Sequence, residues 1–248
     1  MILDDTPGID KIGLEKHTST QFDVELEDVR ERVLTMGGLV EQQITDGVRA
    51  LVEGNGELGE QVAANDYKVN AMEVAIDKEC TRILARRQPQ AGDLRLILAI
   101  VKTITDLERI GDEAEKIGGL AAQLANDDRP ANAFRQINVL GRHVRSMVQN
   151  ALDAFARMDT QAAVRVAQAD DEVDREYESV VRQSITFMME DPRTIRQTLD
   201  VLWATKALER IGDHATNIGE YVIYFVHGKN VRHVGLDKLR QEVRTTVR

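Results

Sequence analysis

The sequence predicts an all-α protein made of two tandem antiparallel three-helix bundles related by internal duplication. The first observation is the run LERIGD at residues 107–112, which recurs unchanged at residues 208–213 of a 248-residue chain. Nine of the twelve positions from 107 to 118 match their counterparts 101 residues later. The second observation is that aromatic residues make up only 4% of the chain, which favours helix-on-helix packing over packed sheets.

The third observation is a 3.6-residue apolar period between widely spaced prolines. In residues 94–110 the apolar stripe includes Ile97, Val101 and Ile104, and strand-like alternation of comparable length is absent from the sequence. Pro89 and Pro192 mark corresponding hairpin turns, because proline breaks a helix interior. The predicted helices span residues 20–53, 57–87 and 93–126 in the first half, and 131–157, 160–190 and 192–227 in the second.

The same features predict four segments along the chain. They are an N-terminal arm at residues 1–19, a first bundle at 20–128, a second bundle at 129–228 and a tail at 229–248, with Pro130 in the linker. Aligning Val69 with Val173 gives an offset of 104 residues, and the later offset of 101 predicts a shorter turn around Pro192. A length change confined to a turn is what a duplicated bundle tolerates.

Composition narrows the classes of partner. The formal net charge is −10, and no cluster of Lys and Arg is present, so direct binding to nucleic acid is not expected. An acidic surface suits metal cations or a partner with a basic face. The single cysteine, Cys80, excludes an intramolecular disulfide and is expected to be a buried apolar residue. Without a signal-peptide pattern or a long uncharged apolar window, a cytoplasmic protein is expected.

Each LERIGD run places two carboxylates four residues apart, which a helix stacks on one face. Counting outward from the hairpin turn puts Asp66 level with Asp112, and Asn70 level with Glu108, on the neighbouring helix. The second half repeats this arrangement, and further acidic residues extend both faces toward the turn. These candidate metal ligands are Asp170, Asp174, Glu209 and Asp213 in the second half, with Glu73, Asp77 and Glu178 as the extensions.

Clustered carboxylates repel one another unless protons, bases or cations compensate. An oxygen-rich set without cysteine suits Mg²⁺, Mn²⁺, iron or Zn²⁺. The alternative is an ordinary solvated helix face, on which Arg109 and Arg210 pair with the acidic residues. Gly111 and Gly212 favour a close approach of a neighbouring helix or bound cluster, because glycine inside a helix costs roughly 1 kcal/mol. His214, whose counterpart is Glu113, is a weaker candidate ligand.

Several motifs together resemble those of the PhoU family. They are MGGLVE at residues 36–41, VNAMEVAID at 69–77, QP at 88–89, DLR at 93–95 and both LERIGD runs. The resemblance covers nearly the whole chain. It implies two PhoU-type bundles, commonly dimeric, with multinuclear metal sites on Glu/Asp-x-x-x-Asp pairs. The matching pairs are Glu73 with Asp77, Glu108 with Asp112, and Glu209 with Asp213, and Asp174 with Glu178 is the partner pair in the second half.

The second half departs from this pattern, since Tyr177 and Val181 align with Glu73 and Asp77. The two metal sites are therefore expected to differ in ligands and occupancy.

The resemblance also implies a function. Members of the family link the phosphate ABC transporter, through its cytoplasmic ATPase, to a sensor histidine kinase, and they repress the phosphate-starvation response when phosphate is plentiful. By this resemblance the chain is a negative regulator that modulates phosphate uptake. It would be a homodimer, and would be peripheral to the membrane through its partners.

Two alternatives to a metal-binding adaptor are open at this stage. A di-iron carboxylate enzyme on a helical bundle usually carries Glu-x-x-His pairs. None is present, because the residues three positions before the histidines are Leu14, Leu140, Ile211, Tyr224 and Asn230. A P-loop and a nucleophile elbow are also absent from the sequence, so a non-enzyme is expected. The other alternative is a structural helical scaffold whose grooves hold no metal.

Overall fold

The computed structural model describes residues 20–125, 131–231 and Leu239, and the described residues contain helices and no strand. In the described ranges seven α-helices follow one another, with a 3-10 turn at Pro192–Thr194 before the last. They are α1 (Thr20–Glu53), α2 (Gly56–Asn65), α3 (Tyr67–Arg87), α4 (Ala91–Leu124), α5 (Ala131–Arg157), α6 (Thr160–Glu190) and α7 (Ile195–His227).

These helices form the two predicted bundles. In the first half α1 packs with α4 and with the α2–α3 segment, and in the second half α5, α6 and α7 pack together. The all-α class and the duplicated arrangement are therefore confirmed. The predicted arm at residues 1–19, the linker at 126–130 and residues 232–238 and 240–248 of the tail lie outside the described residues, and the segment boundaries stay predictions.

The turn between the first and second helices of each bundle has the same kind of helix cap. The Asn55 side chain accepts a hydrogen bond from the Leu58 N–H at 3.0 Å, which caps α2. The Asp159 side chain, 104 positions later, accepts from the N–H groups of Gln161 and Ala162 and caps α6. The matching caps show that the duplication preserved the signal that begins the second helix.

One predicted helix is wrong in detail. Residues 57–87 form two helices, because the helix is interrupted at Asp66. The N–H of Asp66 donates to the Ala63 carbonyl, three residues back. The counterpart α6 runs unbroken through Asp170. The break accompanies backbone contact between α2 and α4, since a Cβ at Gly59 would lie 2.5 Å from the Gly118 carbonyl oxygen.

The second half has Ala163 in place of Gly59, and its helices are further apart. A Cβ at Gly219 would lie 3.2 Å from the Ala163 oxygen, whereas a Cβ at its equivalent, Gly118, would lie 2.8 Å from the Gly59 oxygen. At the other hairpin, the helix predicted to begin at 192 starts as the 3-10 turn, and Asp191 caps this turn by accepting from the Arg193 N–H at 3.1 Å.

The apolar core is continuous across the two halves, with α4 packed on α7 and α1 packed on α5. A Cβ at Gly37 would lie 2.6 Å from Leu152 Cδ1, so the close neighbour of this glycine is α5 of the same chain. Cys80 is fully buried, as predicted, and burial raises the pKa of its thiol to about 12.

A buried carboxylate joins α4 to α7. Asp106 is 2% exposed, and its Oδ1 lies 2.7 Å from His214 Nδ1 and accepts from Asn217 Nδ2 at 3.1 Å. Its Oδ2 accepts from the Tyr221 hydroxyl at 2.7 Å. Burial acts to raise the pKa of Asp106, but the hydrogen bonds from these three side chains outweigh it and lower the pKa below its usual range.

A second contact across the same interface involves Glu113, which is almost fully buried. It pairs with Arg210 of α7 at 2.9 Å and with Lys116 of its own helix at 3.0 Å. Nearby, Lys102 lies over the rings of Tyr221 and Tyr224, 5.6 and 4.8 Å from their centroids. Polar contacts of fixed geometry thus set the register of α4 against α7 inside an apolar interface.

We expect Asp106→Ala to lower the free energy of unfolding by about 3 kcal/mol, because it leaves the buried His214 and Tyr221 and the half-buried Asn217 without their acceptor. Urea denaturation would measure the loss. Asp28→Ala is the matched control, since Asp28 forms a half-exposed ion pair with Arg32 and its removal should cost less than about 0.5 kcal/mol. Equal effects of the two substitutions would contradict the structural role of Asp106.

Candidate functional site

Acidic side chains of the first half meet between α4 and the α2–α3 junction. We call Asp66, Glu73, Glu108, Asp112 and Glu115 the first cluster. Ligand atoms of Asp66, Asp112 and Glu115 all lie within 4.8 Å of one another, close enough to share one cation. The predicted level pairing of Asp66 with Asp112 is therefore seen in the structure.

Glycine at position 111 makes room for this approach. A Cβ at Gly111 would lie 3.0 Å from Asp66 Oδ1 and 3.4 Å from Gln43 Oε1. At Gly212 a Cβ would lie 3.4 Å from Asp170 Oδ1. The glycine of each LERIGD run thus faces the carboxylate of the preceding helix. The predicted close approach is found at Gly111, whereas the 3.4 Å at Gly212 is an ordinary contact distance.

Amide side chains surround Asp66 but leave oxygens unpaired. Asn70 Nδ2 donates to Asp66 Oδ2 at 2.8 Å, and Gln43 Nε2 donates to Oδ1 at 3.5 Å. Within the described part of the chain, the buried atoms Gln43 Oε1 and Asn70 Oδ1 have no hydrogen-bond partner. Since Gln43 is only 8% exposed, an unpaired oxygen there is costly unless a cation or donor meets it.

Charge repulsion within the first cluster is only partly compensated, by the amides at Asp66, by Arg109 beside Glu108 and by Lys116 beside Glu115. Burial raises the pKa values of Asp66, Glu73, Glu108 and Glu115, and repulsion from neighbouring carboxylates, Asp112 in each case, raises them further. A site that disfavours its own negative charge binds a cation more strongly.

The second cluster lies between α6 and α7. We define it as Asp170, Asp174, Glu209 and Asp213. Burial, followed by repulsion from Asp213 and Asp174, raises the pKa of Asp170 to about 7. Asp174 and Asp213 are exposed, yet partial desolvation by the neighbouring helices, followed by repulsion from Glu209, also raises their pKa values. Among the described residues, Asp170 Oδ1 and Glu209 Oε2 are buried without a hydrogen-bond partner.

A lysine lies inside the second cluster. Lys206 Nζ is 2.6 Å from Glu209 Oε1 and 5.2 Å from the centroid of the Tyr177 ring. Its positive charge acts to lower the pKa values of both Asp174 and Asp213. The sequence reasoning missed this residue.

The remaining predicted ligands lie at the ends of the clusters. Asp77 and Glu178 are exposed, and Glu178 pairs with Arg182 at 3.3 Å. The ion pair of Arg210 is with Glu113, and His214 bonds to Asp106, so both of these side chains make contacts across the interface between α4 and α7.

The sequence reasoning also missed Glu115 and Gln43 in the first cluster. Glu115 lies three residues after Asp112, on the same helix face, so its spacing was an available signal. Gln43 comes from α1, and only the tertiary arrangement brings it to Asp66.

The residues present fit a hard or borderline cation. The donors are carboxylate and amide oxygens, with buried unpaired oxygens in both clusters. The single cysteine, Cys80, is fully buried in the core. Mg²⁺, Mn²⁺, iron and Zn²⁺ all suit such a set, and both the ligand assignment and the identity of the metal stay predictions.

The fold and the clusters together define a class: an internally duplicated helical bundle protein with a carboxylate cluster in each half. No helix in the described ranges is long and apolar enough to cross a bilayer. The PhoU domain family matches this chain twice, at residues 33–121 and 137–222. The chain therefore belongs to the PhoU family.

Relatives support this membership. A phosphate-specific transport system accessory protein PhoU homolog of Pseudomonas aeruginosa is 52% identical over 95% of this chain and 97% of its own length. The Escherichia coli K12 accessory protein PhoU is 48% identical over 93% of this chain and 95% of its own. These names describe accessory proteins, and the chain is a non-enzymatic member of the family.

Solved structures agree with the fold. The crystal structure of PhoU from Pseudomonas aeruginosa has a TM-score of 0.82 at 53% identity, covering 84% of this chain and 100% of that one. The phosphate transport system regulatory protein PhoU from Streptococcus pneumoniae has a TM-score of 0.79 at 30% identity, covering 85% and 99%.

We expect the metal-free protein to lose stability as pH rises from about 4 to about 7. Folded Asp170 keeps its proton up to about pH 7, whereas the unfolded chain releases it near the ordinary value of 3.8. The folded state thus binds more protons in this interval, and its free energy of unfolding should fall by roughly 3–4 kcal/mol. Urea denaturation of chelator-treated protein at several pH values would measure this.

The control for this pH effect is Asp170→Asn, which removes the titrating group and should flatten much of the slope. An unchanged slope in Asp170→Asn would contradict the assignment of the proton to Asp170.

Proposed function

We propose that the chain is a metal-binding cytoplasmic regulatory adaptor of phosphate transport. In this role it links the ATPase of the phosphate ABC transporter to the sensor histidine kinase, represses the phosphate-starvation response and modulates phosphate uptake. The names of the relatives, accessory and regulatory proteins of phosphate transport, support this role. The proposal includes a homodimer that reaches the membrane through its partners.

The geometry of the first cluster carries the metal part of the proposal. Three carboxylates converge within 4.8 Å, and buried oxygens of Gln43 and Asn70 lack partners among the described residues. A bound cation would relieve the repulsion between the carboxylates and would be coordinated by the unpaired oxygens. The di-iron enzyme alternative is disfavoured, because the sequence contains no Glu-x-x-His pair.

Metal binding can act on docking through helix packing. The first cluster joins α4 to the α2–α3 junction, and the second joins α7 to α6. A neutralised cluster holds its helices together, whereas a charged one pushes them apart. The surface formed by these helices would then be fixed for the transporter ATPase or the kinase only when cations are bound.

Metal content tests the ligand assignment. We expect Glu108→Ala with Asp112→Ala, and separately Glu209→Ala with Asp213→Ala, to lower the metal that copurifies with the protein, measured by elemental analysis without chelator. The matched control is Glu27→Ala with Glu31→Ala, an exposed pair with the same spacing on α1, which should retain wild-type metal. Wild-type metal content in both cluster variants would show that the assignment is wrong.

A phosphate-responsive reporter tests the regulatory role. In a strain lacking the gene, we expect constitutive expression in phosphate-rich medium, repression when the wild-type chain is restored, and weaker repression with Glu108→Ala and Asp112→Ala. The control pair on α1 should repress as the wild type does. Normal repression in the deletion strain would count against the regulator.

A further inference from the structure

The two clusters are not equivalent, and the main difference is a positive charge. Lys206 precedes Glu209 by three residues on α7, and its Nζ lies 2.6 Å from Glu209 Oε1. The counterpart in the first half, 101 residues earlier, is Thr105, whose hydroxyl donates to the Val101 carbonyl of its own helix at 3.0 Å. A cation belonging to the protein is thus built into the second cluster at a position where the first has a neutral side chain.

Ligand oxygens of the first cluster are also missing from the second. The equivalent of Gln43 is Met147, whose Cε lies 3.7 Å from the position of a Cβ on Gly212. A thioether is a poor ligand for a hard cation. The equivalent of Glu115 is Thr216, and that of Glu73 is Tyr177, so neither contributes a carboxylate.

The convergence of three carboxylates also distinguishes the first cluster from the second. Within the described ranges, Asp66, Asp112 and Glu115 are the acidic side chains whose ligand atoms meet within 4.8 Å, and the second cluster has no such trio. The ring of Tyr177 lies against Lys206 instead, which favours the ammonium through a cation–π contact.

We propose that Lys206 is the resident cation of the second cluster and competes there with metal ions, so that the chain holds metal preferentially at the first cluster. This inference rests on the metal-binding part of the proposed function. The Lys206 side chain is 42% exposed, so it can leave the cluster for solvent when a divalent ion arrives. Its effect is therefore a weaker affinity at the second cluster rather than a blocked site.

The test removes the charge and also transplants it. Lys206→Met keeps the side-chain length and helix propensity but supplies neither a charge nor an oxygen ligand. Lys206→Arg keeps the charge. Thr105→Lys places a lysine beside the first cluster. Chelator-treated proteins would be titrated with Mn²⁺ alone, followed by calorimetry. We expect Lys206→Met to tighten binding at the weaker site about tenfold, Lys206→Arg to match wild type, and Thr105→Lys to weaken the tighter site.

Thermal unfolding supplies a readout that does not depend on metal content. In metal-free protein, Lys206→Met should lower the melting temperature by about 2–4 °C, because the second cluster loses the ammonium that pairs with Glu209. Mn²⁺ should raise the melting temperature of Lys206→Met by more than it raises that of the wild type.

The failures of the two proposals are distinguishable. Wild-type Mn²⁺ binding and melting temperature in Lys206→Met would overturn the role of Lys206 while leaving the metal sites intact. If Mn²⁺ bound none of the proteins, both the role of Lys206 and the metal part of the proposed function would fail. If metal were lost only from Glu209→Ala with Asp213→Ala, and not from Glu108→Ala with Asp112→Ala, the preference for the first cluster would be reversed.

Discussion

Carboxylates held close together by helix packing are the constraint on which the rest of this structure depends. A side chain at Gly111 would crowd Asp66, because a Cβ there would lie 3.0 Å from Asp66 Oδ1, whereas a Cβ at Gly212 would meet Asp170 Oδ1 at an ordinary contact distance of 3.4 Å. The apolar core fixes these helices, so the acidic groups cannot relax by moving apart without opening the core. Protons, amides, a lysine or a bound cation must therefore compensate the charge, and each half uses a different combination.

The helices that carry both clusters also form the interface between the halves. Asp112 adjoins Glu113 in sequence, and Glu209 adjoins Arg210, while Glu113 and Arg210 pair with each other across α4 and α7 at 2.9 Å. A shift of either helix in response to cluster charge would act directly on this ion pair. The buried contacts of Asp106 lie close by and resist such a shift, because their hydrogen bonds require one register.

Local rules were sufficient for most of the fold and part of the site. Helical period, prolines and caps predicted the bundles, and equal distances from a turn correctly paired Asp66 with Asp112. The break at Asp66 was not predictable, because it accompanies backbone contact at Gly59 with a distant helix. Asp106 with its three partners and Gln43 beside Asp66 are contacts distant in sequence, and no periodicity specifies them.

Duplication supplied two similar backbones, and later substitutions changed packing and chemistry together. In the first half, Gly59 lets α2 pack closely on α4, the helix ends next to Asp66, and that carboxylate lies near Glu115. Where the second half has Ala163, α6 remains continuous, Thr216 replaces Glu115, and Lys206 lies beside Glu209. The half with the closer helix packing is thus also the half with more carboxylates in its cluster. One half brings three carboxylates within 4.8 Å of one another, and the other places a lysine beside its acidic groups.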